Sequence, residues 1–320
     1  MQDLAIVIVS TNEALWLPPC LRSIFDHAGA IDVDVVVVDN ESTDGTRELV
    51  ERDFPAARVV ASANRGFAHA NNRGLMTTDA RYVLFLNPDT EILEGTFAEL
   101  VAALDARPTV GLAGVKQKTA DGELFPTIRR FPNALRAFAE ALGCESALFR
   151  KMPLGERELR LDRYERETAC DWTSGSFMLA RREAIESAGF MDERFFIYSE
   201  EPDLCRRMKR AGWDVLHLPL MTILHHADKA GVSARMKAQD AYARLQHAQK
   251  HFSLLHRAAY RAALWLRYAL RLLTRDRDRR NAERLALGIV LGREQPPFGA
   301  PPAAAVAQRG PSQPLAKGST

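Results

Sequence analysis

The stretch Tyr82 to Thr90, YVLFLNPDT, is strand-like and apolar until it stops at Asn-Pro-Asp. A divalent cation carried by a diphosphate needs only one or two protein carboxylates, because phosphate oxygens and water complete its octahedron. Asp89 can therefore suffice, with Pro88 fixing the turn and Asn87 offering a neutral oxygen or a hydrogen-bond donor. A plain strand-ending turn accounts for the same residues. A second acidic group lies in FFIYSEEPDLCRRMKRAGW, Phe195 to Trp213, where Glu200, Glu201 and Asp203 open a helix behind an aromatic cluster. Acids there complement the helix dipole. A carboxylate desolvated by aromatic neighbours also gains basicity and suits deprotonation of a sugar hydroxyl, although crowded acids hinder one another's ionisation.

Other polar positions could join these two. Asp39, in VVVVDNESTDGT, follows an apolar run and can accept hydrogen bonds from a nucleobase or ribose, or cap the next helix. Asp44, just before Gly45 and Thr46, reads as an N-cap. In ANRGFAHANNRG, Gly66 stands where a helix starts, a place that can hold phosphate, and Asn64 and Arg65 flank it. A lone surface Arg is more often solvated than functional. His225 and His226, in ILHHADKAGVS, follow Pro219 and can ligate a metal, bind diphosphate, or do neither.

The elements that must position these residues follow from the apolar pattern. Leu4 to Val9 and Val33 to Val38 are β-branched, nearly continuous apolar runs, as expected of parallel strands covered on both faces. Between them, Leu17, Leu21, Ile24 and Phe25 recur at helical spacing, with Asn12 as the expected cap. A helix after Asp44, a strand near Arg58 to Ala61, a helix from Phe67 to Leu75 and the strand ending at Leu86 continue the alternation over about 115 residues. This predicts an α/β, doubly wound sheet with its ligands beyond the carboxyl ends of the strands. Ser10 to Asn12, Asp39 to Ser42, Ala63 to Gly66 and Asn87 to Asp89 should then line one crevice. Residues 116 to 168 are less regular and read as a mobile excursion or an acceptor-side insertion. Thereafter the pattern predicts a strand in WTSGSFMLA, helices over Arg182 to Ala188 and Pro202 to Ala211, and a strand over Val215 to Leu218.

The 320 residues carry 43 basic and 41 acidic side chains, so no global field draws the chain to nucleic acid. Four scattered cysteines, none in a CxxC pair, fit a reducing compartment and buried packing roles. The N-terminus lacks a signal-peptide pattern, and no apolar run approaches the ~20 residues needed to span a bilayer. A cytoplasmic, non-spanning protein is expected.

Taken in order, VIVSTNEALWLPPCLRSI, VVVVDNESTDGT, NRGFAHANNRG, YVLFLNPDT, WTSGSFMLARREAI, GFMDERFFIYSEEPDLCRRMKRAGW and HHADKAGVS resemble glycosyltransferase family two, especially its rhamnosyltransferase-like bacterial branch. The resemblance covers residues 4 to 235. It implies a GT-A nucleotide-sugar transferase fold, Rossmann-like with a mostly parallel central sheet. It also implies an inverting glycosyltransferase that uses a nucleoside-diphosphate sugar, with rhamnose among the candidates, and Mg²⁺ or Mn²⁺. The acceptor would be a hydroxyl of a cell-surface glycan or a lipid-linked glycan. Within that pattern Asp39 contacts the base, Thr11 and Glu13 lie beneath the donor, and Asp89 is the second acid of the Asp-x-Asp metal motif with Asn87 at the first. The Glu-Asp motif falls on Glu200 and Glu201. The usual Asp is here Glu201, followed by Pro202, so the catalytic base is open between the two, with Glu201 preferred. Trp172 and Gly175 match the acceptor segment, and His225 matches a histidine that touches metal or diphosphate, with His226 as the alternative.

The expected organisation is a catalytic domain over 1–235, with a nucleotide-binding half to about 115 and an acceptor half after it. A basic helical extension over 236–292 and a disordered Pro/Ala-rich tail over 293–320 follow. Within the extension, His251 to Arg280 interleaves Phe252, Leu254, Leu255, Leu264, Leu266, Leu270 and Leu273 with Arg257, Arg261, Arg267, Arg271 and Arg275. Such a helix can lie peripherally on the inner face of the plasma membrane, or pack on the catalytic domain or a homodimer partner. Two rivals stand beside the transferase: a catalytically silent nucleotide-sugar-binding or scaffold protein, which Glu201 would favour, and a nucleotidyltransferase. The latter's Gly-rich, Lys/Arg-containing signature near the first strand is missing.

Overall fold

In a computed structural model of the protein, residues 2–144, 154–226 and 233–298 are described. The apolar runs form β1 (Leu4–Ser10), β2 (Val33–Asp39), β3 (Ala57–Ala61) and β4 (Tyr82–Leu86), all mutually parallel. Every residue of β1 and β4 is buried, as continuous apolar strands require. The sheet continues with β5 (Thr90–Glu94), β6 (Val110–Lys118), β7 (Thr168–Ala169), β8 (Phe177–Arg181) and β9 (Asp214–His225). Its order is β3-β2-β1-β4-β8-β6-β9-β5, with β7 also paired to β9. Six of the nine described strands run one way; β5, β7 and β8 run against them.

Helices cover both faces. On one, α1 (Leu17–Asp26) and α4 (Phe97–Asp105) bury Leu21, Ile24, Phe97 and Leu100 on Ile6, Ile8 and Leu84. On the other, α3 (Phe67–Leu75), α6 (Arg182–Ala188) and α7 (Glu200–Arg210) bury Ala70, Ile185 and Leu204 on Val7, Phe85 and Met178. The helix α2 (Thr46–Asp53) connects β2 to β3. Asp44 is not the N-cap expected of it: Gly45 takes that position at φ 82°, and the Asp44 carboxylate accepts from Thr46 N–H from one residue further out. Asn12 does not cap α1. It sits at φ 60° and its side-chain oxygen accepts from Thr43 N–H, while α1 starts only at Leu17 with prolines in its first turn.

A third core joins α5 (Ala134–Ala141), α8 (Ala234–His251), α9 (Leu254–Arg271) and α10 (Arg277–Leu291) around Ala137, Ala241, Tyr260, Leu264 and Ile289. Side chains of Ser233, Ser253 and Asp276 cap the last three. The segment 251–280 is thus not one amphipathic helix, because Asp276 starts a new one. Its expected apolar face also divides: Phe252 and Leu264 are buried, whereas Leu254, Leu255, Leu270 and Leu273 face outward. Arg261 donates to Val290 O and Arg267 pairs with Glu140, so the basic residues point inward in part. No helix among the described residues is long and apolar enough to cross a membrane.

The irregular region is packed in part. Tyr164 is fully buried and bridges Ile128 N–H and Glu158 O. The strand expected over WTSGSFMLA forms only from Phe177, and the one expected over Val215 to Leu218 runs on to His225. Pro219 is accommodated there because the β6–β9 register shifts between Gly114 and Lys116, leaving it in an irregular stretch. Residues 227–232, which close the HHADKAGVS segment, and 299–320 of the expected tail lie outside the described residues.

Candidate active site

The register sets Ser10 beside Asp39 and Asp39 beside Ala61, so the loops after β1, β2 and β3 leave the sheet at one edge, with Asn87 just past the end of β4. They open on a cavity of about 610 Å³. Thr11, Glu13, Asn64, Gly66, Asn87 and Asp89, expected to meet the donor, line it. Gly175, Glu200 and Glu201 line it too. Nine of the expected site residues, drawn from positions 11 to 201, thus share one space.

The remaining four stand apart from its wall. Asp39 is buried behind Asn40, and its carboxylate accepts from Ser42 N–H at 3.3 Å. Arg65 is exposed. Trp172 is half-buried, its Nε1–H donating to Arg130 O at 3.0 Å, and Arg129 lies over its ring at 5.5 Å. His225, the last residue of β9, lies directly behind Asp89, with Nε2 3.4 Å from the carboxylate. Burial pushes the Asp89 carboxyl up, but the imidazole outweighs it and holds the group below the usual range. His226 is committed elsewhere, 2.6 Å from Glu91, with its ring centroid 4.6 Å from that of Trp16 at a tilt of 34°.

Glu13 faces the same carboxylate. Burial first, then the charges of Asp89 and Asp44, push its pKa up to about 7. Such mutual repulsion marks a place where a cation would be welcome. Among the described residues no three His, Cys, Asp or Glu side chains are grouped to hold a metal ion by themselves. Asp89 and His225 together offer an oxygen and a nitrogen, and a bound diphosphate would have to supply the rest.

The two glutamates differ. Glu200 is 2 % exposed, and burial, then Glu201, raises its pKa well above the usual value; its Oε2 has no hydrogen-bond partner among the described residues. Both effects favour the protonated form of Glu200. Glu201 is less enclosed, and its Oε1 accepts from Gly175 N–H at 3.2 Å. Burial raises its pKa too, opposed by that N–H and by the charge of Arg129. A side chain at 175 would crowd it, since a Cβ there would lie 2.7 Å from Oε1.

The start of α7 is held under strain and by close contact. Tyr198 and Ser199 both take positive φ, 70° and 69°, a sparsely populated conformation for side-chain-bearing residues. Gly66, at φ 104°, lies so close to Phe196 that a Cβ would meet its carbonyl oxygen at 2.3 Å, and Phe67 N–H donates to that oxygen at 2.6 Å. The donor loop and the base helix therefore touch backbone to backbone. Asn40, from the Asp39 to Ser42 loop expected there, also lines the cavity, as do Ser174, Ser176, Phe196, Tyr198 and Met236, which were not singled out from sequence. The aromatic FFIYS run was a signal for two of them; Met236, on α8, has no local signal.

Comparisons with known proteins bear on the family and the fold. An L-rhamnosyltransferase of Mycobacterium tuberculosis, described as acting on N-acetylglucosaminyl-diphospho-decaprenol, is 33% identical over 206 residues, 61% of this chain and 66% of that protein. Rhamnosyltransferase WbbL of Escherichia coli (strain K12) is 22% identical over 69% of this chain and 83% of its own. In fold, a mannosyltransferase from Pyrobaculum calidifontis in complex with GDP-Man and Mn²⁺ matches with a TM-score of 0.52 at 19% identity, over 93% of this chain and 84% of that one. GalNAc-T7 with UDP, GalNAc and Mn²⁺ gives 0.57 at 14% identity, over 76% and 47%. The description "Glycosyl transferase family 2" matches residues 5–187, more than half of the chain, and the protein belongs to that family of glycosyltransferases.

Proposed function

We propose that the enzyme transfers a sugar, rhamnose being the first candidate, from a nucleoside diphosphate to a hydroxyl of a lipid-linked or cell-surface glycan with inversion at C1. One observation carries this reading: the Glu201 carboxylate, aimed by Gly175 N–H, shares a single cavity with Asp89 and the donor loops. Glu201 takes the proton of the acceptor hydroxyl as its oxygen bonds to C1. The bond from C1 to the diphosphate breaks on the other face, and its electron pair leaves with the diphosphate. Glu200, buried and protonated, keeps a second charge out of the site.

Asp89 and His225 would hold Mn²⁺ or Mg²⁺ together with donor phosphate oxygens, and the bound ion would neutralise the leaving diphosphate. Asn64 and Gly66, with exposed Arg65 beside them, would approach the donor at the start of α3. Asp39 lies one residue behind the wall and would reach a base or ribose from there. Trp172 would act on the acceptor side through Arg129. The diphospholipid substrate in the mycobacterial relative's name supports a lipid-linked acceptor. Outward-facing Leu254, Leu255, Leu270 and Leu273 support peripheral contact with a membrane, where such an acceptor resides. We further propose the division into a catalytic domain over 1–235 and a helical extension after it.

The test combines a panel of dTDP-, UDP- and GDP-sugars with Mn²⁺ in thermal-shift and transfer assays. A donor that raises the melting temperature and is consumed by wild type but not by Glu201→Gln, with an inverted product anomer, is the expected result. Donor binding without transfer would favour the silent binding protein, and transfer by Glu201→Gln would move the base to Glu200.

A further inference from the structure

Glu200 lines the catalytic cavity, yet proton removal by Glu201 gives it no contact with the substrate. It is 2 % exposed, and its buried Oε2 has no hydrogen-bond partner among the described residues. A buried polar atom left unpaired on a cavity wall is costly until a ligand completes it. The proton of such a carboxyl is not taken by its neighbour either, since Glu201 Oε1 accepts from Gly175 N–H.

The surroundings decide which form of Glu200 the cavity meets. The cations that reach the first turns of α7 are engaged with Asp203: Arg207 at 2.7 Å, Lys250 at 2.5 Å and His251 at 2.7 Å. None lies within ion-pair distance of Glu200 among the described residues. The start of α7 also offers one N–H fewer than usual, because Pro202 has none, and Asp203 N–H donates to Ser199 O at 3.2 Å. Burial, then the charge of Glu201 and, more weakly, that of Asp203 favour the neutral acid, opposed by backbone N–H groups of Glu200 and Tyr198. Burial, Asp240 on α8 and the two glutamates push the Tyr198 hydroxyl up as well, so it adds no charge. A neutral carboxyl has what a carboxylate lacks, an O–H donor, and an acid kept neutral in an apolar site can serve catalysis as a donor rather than a base. Phe196, Ile197 and Tyr198 give the cavity an apolar wall just ahead of it in the chain.

We propose that Glu200 is a second catalytic residue, whose Oε2–H donates a hydrogen bond to an oxygen of a sugar bound in the cavity. Glu200 keeps its proton throughout, while Glu201 takes that of the acceptor hydroxyl. The identity of the ligand as a sugar rests on the transferase reading, but the neutral carboxyl does not.

The first test is infrared difference spectroscopy of the full chain at neutral pH, wild type minus Glu200→Gln. A protonated-carboxyl carbonyl band belonging to wild type is expected, and its absence overturns the proposal. With Mn²⁺ present, a band moved by a nucleotide sugar but not by the matching nucleoside diphosphate assigns the bond to the donor sugar. A band moved only by an alkyl glycoside that wild type glycosylates assigns it to the acceptor. A band that neither ligand moves overturns the proposal.

The second test is kinetic. Glu200→Gln keeps a neutral N–H donor and should retain kcat/KM within about three-fold, whereas Glu200→Met, of similar length but without a donor, should lose about ten-fold or more. Because the Met variant removes an unpaired buried polar group, it should melt at or above the wild-type temperature while it loses rate. A loss in Glu200→Gln as deep as that in Glu201→Gln would show that position 200 must be charged, and equal rates in the Gln and Met variants would show that no donor is needed. Either result overturns the proposal, as does a Met variant whose lost rate comes with a lower melting temperature. Failure of every donor to bind or react would count against the transferase reading alone, since the infrared band still decides whether a neutral acid faces the cavity.

Discussion

Gly175→Ala is a small perturbation with a calculable effect on the base. The added Cβ would stand 2.7 Å from Glu201 Oε1 and 3.1 Å from its Cγ, whereas ordinary contact begins at 3.4 Å. The carboxylate must therefore retreat by up to 0.7 Å, the difference between 3.4 and 2.7 Å, or swing off the Gly175 N–H that now aims it. Misplacement by about 1 Å can cost ~10²-fold, and general-base catalysis as a whole supplies ~10²–10⁴-fold. The expected result is a kcat lower by about 10–100-fold with donor affinity unchanged, measured by donor-dependent product formation and by Mn²⁺-dependent thermal shift. Combining Gly175→Ala with Glu201→Gln should add almost nothing to the loss from Glu201→Gln alone, because both act through one group. Wild-type kcat in Gly175→Ala, or fully multiplicative losses in the double variant, would refute the claim that Gly175 works by aiming Glu201.

Three other outcomes follow from the site. Gly66→Ala should destabilise the fold by about 2–4 kcal/mol in urea melts, because the new Cβ would collide with the Phe196 carbonyl at a backbone angle already unfavourable to Ala. In metal-free protein, Glu13→Gln should raise the melting temperature by about 2 °C at about pH 8, a gain near 1 kcal/mol after discounting for partial exposure. The sign follows from a folded pKa of about 7 above the ordinary 4.5: the native advantage of the protonated acid is complete below 4.5 and is lost as pH rises through 7. An equal gain at acidic and alkaline pH would refute that account. Asn87→Asp should keep transfer within a few-fold and tighten Mn²⁺ binding, read from the metal dependence of the rate; abolished transfer would mean that Asn87 donates a hydrogen bond an acid cannot supply.

The donor side was legible because its signal is local. Buried β-branched runs name β1, β2 and β4, and the residues just beyond them must converge on one edge. Glu200 and Glu201 were equally visible, but only the fold separates a closed, protonated carboxyl from one facing Gly175. His225 was read as a loop residue because Pro219 promised an end to the strand, which the irregular register instead absorbs. The packing of the helical extension was illegible for a deeper reason. GERELRLDRYERE belongs to the region expected to be a mobile excursion or an acceptor-side insertion, yet Glu156 and Glu158 are buried on partners from other elements. Arg244 meets Glu156 across 88 residues of chain and Arg267 meets Glu140 across 127, separations that leave no periodicity to detect. The arginines of α9 accordingly left a membrane-facing and a packed surface both open, and Arg267 points into the protein.

The ring of Phe298 lies flat on that of Phe196, 4.7 Å apart at 2°, with Arg235 above it. Phe196 in turn lines the candidate cavity. The segment after α10 thus buttresses one of the cavity's rings from outside, so a residue far from the expected chemistry sets how freely that ring can swing. Phe298→Ala should loosen Phe196 and shift the acceptor KM.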